Sequence, residues 1–217
     1  MFDARAAKNP QTTPGRLARL ARSASPELRA LVALNPSTPA EALRALSTDS
    51  STEVLVGLAR NPSCTPLLLE ELSRSKHEAV RVSVAENQAT PLHALTEIAG
   101  SHKASASERL ALAGNPSASA SVLSSLCRWG RSLTHADWQL NLAVASNPNA
   151  SEMTLRSLFN KDEKSPSQAG VNAALAANSA TPLETRGQLF SMAKYRRGFS
   201  DSEASARART RSTAART

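Results

Sequence analysis

Aromatic residues make up only 3% of this 217-residue chain. Whatever core it has must be aliphatic and built from many small contacts. Cysteine is scarce too, with only Cys64 and Cys127. Two isolated thiols give neither a disulfide framework nor a metal-binding spacing, so no cofactor or metal is expected. No apolar stretch approaches the 18 residues of a membrane-spanning helix, and no apolar run precedes a cleavage site. The expectation is a soluble, cytoplasmic protein without a membrane partner. The dinucleotide fingerprint, the phosphate loop and the His-Glu-x-x-His helix are all missing. Serine is so abundant that a Ser/His/Asp count carries no signal. Glu70 and Glu71 are neighbours, which in a helix makes them face different ways. His77, His102 and His135 lack the close register and further ligands that a metal site needs. No catalytic residue, no cofactor-binding residue and no metal ligand is therefore predicted, and an enzyme is not expected.

What the chain does have is a phrase that returns seven times. It is anchored by Asn9, Asn35, Asn61, Asn87, Asn115, Asn147 and Asn178, each preceded two residues earlier by alanine. The asparagines lie 26 to 32 residues apart, a period that belongs to stacked arrays of one small unit. Seven residues before the asparagine come Phe2, Leu28, Val54, Val80, Leu140 and Val171, with Glu108 as the exception. Three before it come Ala6, Val32, Leu58, Val84, Leu112, Val144 and Leu175. That spacing puts one apolar stripe on a short helix. Leucines eight residues after the asparagine (Leu17, Leu43, Leu69, Leu95, Leu123, Leu155) and apolar residues eleven after it describe a second helix.

Punctuation separates the two. Asn-Pro occurs five times, and proline drives the residue before it out of the helical region. Thr-Pro follows at Thr13, Thr38, Thr65, Thr90 and Thr181, where threonine suits the N-cap and proline the first helical position. The recurrent alanine is expected to let the two helices of one unit approach closely. The asparagine has two readings: a polar ladder that bonds orphan backbone groups at helix ends, or a row of binding amides on an exposed face. Its presence in every unit, terminal ones included, favours the ladder.

The phrase Ala-x-Asn-Pro-x-x-x-Pro-x-x-x-Leu-x-x-Leu, together with Ala79-Val80-Arg81-Val82-Ser83-Val84-Ala85, resembles the leucine-rich repeat variant family over residues 2–190. The resemblance implies an all-α, right-handed solenoid of about seven two-helix repeats related in architecture to HEAT and armadillo arrays, some first helices being partly 3₁₀. One member type holds an iron–sulfur centre on an N-terminal cysteine cluster; this chain has no such cluster, so no cofactor carries over. The family has no catalytic residues to transfer and implies a binding scaffold.

Residues 1–193 therefore read as the repeat array, with its last unit, where Arg186 replaces leucine, as a cap closed by Phe190, Met192, Tyr195 and Phe199. Residues 128–137 and 160–168 read as long loops between units. Residues 194–217 read as a basic, largely disordered tail: seven basic residues against Asp201 and Glu203 supply five of the chain's eight excess positive charges. The expected function is protein–protein interaction. The alternative is association with nucleic acid through Arg29, Arg81 and Arg109, which share one repeat position, and through Arg207, Arg209 and Arg211 in the tail.

Overall fold

The structure, a computed structural model, describes residues 2–101, 104–127, 135–159 and 166–192. Every regular element among them is an α-helix. The first helices of the seven repeats are α1 (Phe2–Lys8), α3 (Pro26–Leu34), α5 (Thr52–Arg60), α7 (Glu78–Glu86), α9 (Ala106–Gly114), α11 (His135–Ser146) and α13 (Pro166–Ala177). The second helices are α2 (Pro14–Leu20), α4 (Ala40–Leu46), α6 (Pro66–Ser73), α8 (Leu92–Gly100), α10 (Ala120–Cys127), α12 (Glu152–Leu158) and α14, described over 183–192. First helices pack on first helices and second on second along the chain, which is the arrangement of a solenoid. The stretches 128–134 and 160–165, most of the two expected loops, lie outside the described residues, as do 193–217. The remainders of those loops, 135–137 and 166–168, are the opening turns of α11 and α13.

Among the described residues every first helix is α-helical, not partly 3₁₀ as the family resemblance implies, and three-residue bonds are found at helix ends. The N–H of Asn35 donates to the Val32 carbonyl three residues back, and Asn61, Asn87, Asn115 and Asn147 do the same. The helices before Asn35, Asn61, Asn87 and Asn115 end with the asparagine in extended backbone, at φ −71° and ψ 124° for Asn35. Asn87 has the same geometry, φ −75° and ψ 123°, although Gln88 and not proline follows it. Proline is therefore sufficient but not necessary for the stop; the bonds made by the asparagine side chain are common to all.

Those bonds form the expected ladder, and it runs between repeats. Asn35 Nδ2 donates to the carbonyls of Ala7 at 2.7 Å and Asn9 at 3.0 Å in the preceding repeat. Asn61 reaches Ala33 and Asn35, Asn87 reaches Ala59 and Asn61, and the pattern continues unbroken to Asn178. Meanwhile each Oδ1 accepts the backbone N–H two residues on, as from Ser63 at 2.7 Å in the third repeat. One side chain thus satisfies the alanine carbonyl, adds a second donor to an asparagine carbonyl that already accepts the N–H three residues on, and holds one turn amide. A second ladder runs beside it: the hydroxyls of Ser37 and Ser63 donate to Pro10 and Pro36 carbonyls, and Asn149 Nδ2 does the same to Pro116.

The Thr-Pro pairs divide into two kinds. Thr13 and Thr65 are N-caps followed by proline at the first helical turn. Thr38 and Thr90 stand one residue earlier in the repeat, and Pro39 and Pro91 occupy the cap. Their buried hydroxyls instead donate to the Val32 and Val84 carbonyls at 2.6 Å, closing the preceding helix. Thr181 shares that register, and its hydroxyl is buried without a partner.

The apolar positions form one continuous core. Leu17, Leu43, Leu69, Leu95, Leu123 and Leu155 are fully buried, as are Val32, Leu58, Val84, Leu112, Val144 and Leu175. Leu69→Ala should cost about 2–5 kcal/mol of unfolding free energy through the cavity it leaves. Val84→Asp, which buries an unpaired charge, should cost at least as much. An unchanged melting curve for Val84→Asp would break this register. Two expectations fail at the ends. Phe2 is 86% exposed, having no earlier repeat among the described residues to cover it. Phe190 is 67% exposed and does not close the stack, while Tyr195 and Phe199 lie outside the described residues.

The recurrent alanine also works between repeats. A Cβ placed on Gly57 of α5 would stand 2.7 Å from the Ala30 carbonyl oxygen and 3.3 Å from the Ala33 Cβ of α3. The close approach is therefore from first helix to first helix, and only glycine fits at that point.

Candidate binding surface

Small residues bring the first helices together, whereas the second helices meet through leucine and valine and stand further apart. In a stack the tighter side is the inner side, so the first helices form the inner, concave wall. Its centre is the position opposite the core stripe, five residues before each asparagine. There the sequence reads Ala4, Ala30, Val56, Val82, Leu110, Leu142 and Ala173, all half-buried or exposed. The row is apolar from end to end and becomes bulkier towards its middle. Between α7 and α9 it sinks into a depression of about 410 Å³, lined by Val82, Glu86, Ser107, Leu110, Ala111, Gly114 and Asn115. Gly114 helps to open it, since a Cβ there would meet nothing within 4 Å. Arg60 and Glu86, one repeat apart on the adjoining row, are 3.7 Å apart at its rim.

The outer wall is different in kind. Its second helices carry charges that pair across repeats: Arg74 with Glu97 at 3.2 Å, His93 with Glu70 at 2.9 Å and Arg156 with Glu184 at 3.2 Å. His93 and then Arg74 hold the Glu70 carboxyl below its usual range. These exposed pairs contribute little individually.

The arginines singled out in the sequence lie on neither wall. They stand at the turns that link one repeat to the next. Arg29 donates from Nη1 to the Ser23 carbonyl at 2.8 Å and from Nε and Nη2 to both carboxylate oxygens of Asp49, at 2.6 and 2.9 Å. That guanidinium holds Asp49 below the ordinary carboxylate range. Arg81 repeats the arrangement, binding the Ser75 carbonyl at 2.7 Å and Glu108 at 2.5 Å. Arg109 donates to the Ala104 carbonyl at 2.5 Å. All three brace their own inter-repeat turn. Arg207, Arg209 and Arg211 lie outside the described residues. Glu108, the one polar residue in the apolar series, is 1% exposed and is the partner that Arg81 requires. It also completes a capping box with Ser105. Burial opposes its ionisation, but Arg81 and the Ser105 amide outweigh burial and leave its pKa lowered.

Cys64 occupies the register of Thr38 and Thr90, buried in the closing turn, and Cys127 ends α10 half-buried. Burial pushes both thiols up to about 11, so neither is a thiolate at neutral pH. Among the described residues, no group of three or more His, Cys, Asp or Glu is placed to hold a metal ion. No helix there is long and apolar enough to cross a membrane.

The fold and its apolar inner wall define a helical-repeat array of the kind that binds along a surface. Residues 1–54, the first two repeats, match the family described as the Leucine Rich Repeat Variant domain. The same phrase continues through the five repeats that follow. No curated protein and no solved structure matches the chain.

Proposed function

We propose that the chain is a non-enzymatic, cytoplasmic scaffold that binds another protein along its inner wall. Residues 1–193 form the scaffold and residues 194–217 a separate basic tail. The observation that carries this reading is the unbroken row of apolar residues at one repeat position. Packing accounts for it only in part: Ala30, Val56 and Leu142 rest partly buried against the core, whereas Ala4, Leu110 and Ala173 are exposed. An exposed apolar row bordered by polar residues is the usual mark of a protein interface. The row also has a broad centre at Val82 and Leu110, where a partner's side chain would find the depression between α7 and α9.

A photo-crosslinking residue at position 82 or 110 should capture a protein partner, and the adduct should survive nuclease treatment. The same residue at position 44 or 97 on the outer wall should not. Val82→Glu with Leu110→Glu should weaken capture at least tenfold while leaving the melting temperature close to that of the parent chain. Adducts that form only from the outer wall, or that vanish with nuclease, would overturn the assignment.

A further inference from the structure

The chain's cations are unevenly placed. Residues 1–25, the first repeat and its turn, hold Arg5, Lys8, Arg16, Arg19 and Arg22 against one carboxylate, Asp3. Residues 26–193 hold fourteen basic residues against fifteen acidic ones. The pairing differs as sharply as the count. Further along the array arginines are bound to carboxylates, Arg29 to one of its own repeat and Arg60, Arg74, Arg81 and Arg156 to ones of a neighbouring repeat. In the first repeat all five cations are exposed. Among the described residues only Arg16 has a carboxylate nearby, Asp3 at 3.6 Å, and both side chains remain well exposed.

Part of this polarity goes with a first repeat that has no earlier one among the described residues to cover it. The positions of Arg5 and Arg16 are buried against the preceding repeat elsewhere, where they hold Gly57 and Ser83, or Ala42, Leu68 and Val122. An end repeat must replace such residues with polar ones. Capping, however, asks for polarity of either sign. It does not account for a five-to-one excess of cations, nor for Lys8, Arg19 and Arg22, whose positions are exposed in the later repeats too.

We propose that the first repeat is a second binding site, one that takes the phosphate backbone of a nucleic acid. Four of its five cations are arginines, whose planar fork engages phosphate oxygens two at a time. The patch has no apolar centre of the kind a protein interface builds around. Its single exposed ring, Phe2, is too little to anchor the chain in a bilayer. It is instead placed to stack on an unpaired base. The site adjoins the first-repeat end of the inner wall, to which α1 contributes, and does not depend on the protein-binding reading.

Fluorescence anisotropy of the full chain with labelled single- and double-stranded oligonucleotides, between 50 and 200 mM salt, tests this. Five phosphate contacts should give a slope of log Kobs against log salt steeper by about 4.5 on duplex, or about 3.5 on a single strand, than that of R5S/K8S/R16S/R19S/R22S. That variant should bind about thirtyfold or more weakly at the lowest salt, by the same counterion release. The partial variant R19S/R22S should lose a proportionate share of the slope. R207S/R209S/R211S should keep the difference, and so should R44S/R60S/R74S/K76S/R156S, which removes as many cations from the rest of the array. The proposal is overturned if the first-repeat variants bind as the parent does, or if the charge-matched control loses as much. It is equally overturned if polyglutamate or phosphatidylserine vesicles bind the parent more tightly than the oligonucleotides do.

Discussion

Asn61→Asp is expected to unfold the array far more readily than its size implies. The change swaps one amide for an isosteric carboxyl, yet Asn61 is fully buried, and its Nδ2 lies 2.6 and 2.8 Å from two carbonyl oxygens. At neutral pH the ionised carboxylate of this variant would place negative charge against both; the Ala33 carbonyl would lose its donor and the Asn35 carbonyl would keep only the Thr38 N–H. The expected loss is about 3–5 kcal/mol, the range of a buried charge without compensation. Burial and the facing carbonyls would raise the pKa of the new carboxyl in the folded state above its unfolded value. The penalty should therefore be fully present above that raised pKa and shrink as pH falls through it, because the protonated acid regains one donor. Asn9→Asp is the internal control. Asn9 is exposed, and its Nδ2 has no acceptor among the described residues, so this change should lie within about 0.5 kcal/mol of neutral. Equal losses for the two variants in urea unfolding would mean that the ladder does not hold the stack.

Arg81→Met is expected to be comparably damaging, by about 3–5 kcal/mol, because it strands the Glu108 carboxylate in the core. Adding Glu108→Val should recover most or all of that loss. Valine is what the third and fourth repeats carry at this position, and a buried ion pair is often replaceable by packed apolar residues at no cost. The pH dependence has the sign of a carboxyl whose folded pKa is depressed. The pair stabilises the parent chain above the ordinary glutamate range, and that contribution disappears as pH falls through the lowered pKa. In Arg81→Met the order reverses, since acid neutralises the stranded group. A double variant no more stable than Arg81→Met, measured at neutral pH, would show that Glu108 is not the source of the loss.

The architecture was legible because its determinants are local and repeated. Spacings of three, four and eight residues about each asparagine identify both helices without reference to anything distant. The inner wall was present in the same register, five residues before each asparagine, but a half-exposed apolar row and a buried one look alike in a sequence until the core side is known. Thr38 and Thr90 misled because threonine before proline satisfies the rule for an N-cap, and a shift of one residue in the turn sends the hydroxyl to the opposite helix end. Arg29 and Arg81 share a repeat position for a reason that lies in three dimensions. Their partners Asp49 and Glu108 are 20 and 27 residues away, at different points of the repeat, so no periodicity links them. Glu108 was visible as an anomaly, and an acid in an apolar series was a signal that a basic neighbour must be close.

The rungs of the asparagine ladder have the same form whatever the distance along the chain. The amide and the alanine carbonyl it binds are 28 residues apart at Asn61 and 34 apart at Asn147, yet the bond lengths are 2.6 and 2.8 Å. Each rung senses only the backbone of the unit beneath it and is indifferent to what lies between. All the variation in length falls on the opposite edge, where a second helix hands over to the next first helix. Where no arginine braces it, a turn on that edge can grow or shrink without altering a single rung, whereas Arg29, Arg81 and Arg109 hold theirs in place. The chain carries a ruler on one edge and lets the unbraced turns of the other vary, so new recognition segments can be written there while the register of the stack stays fixed.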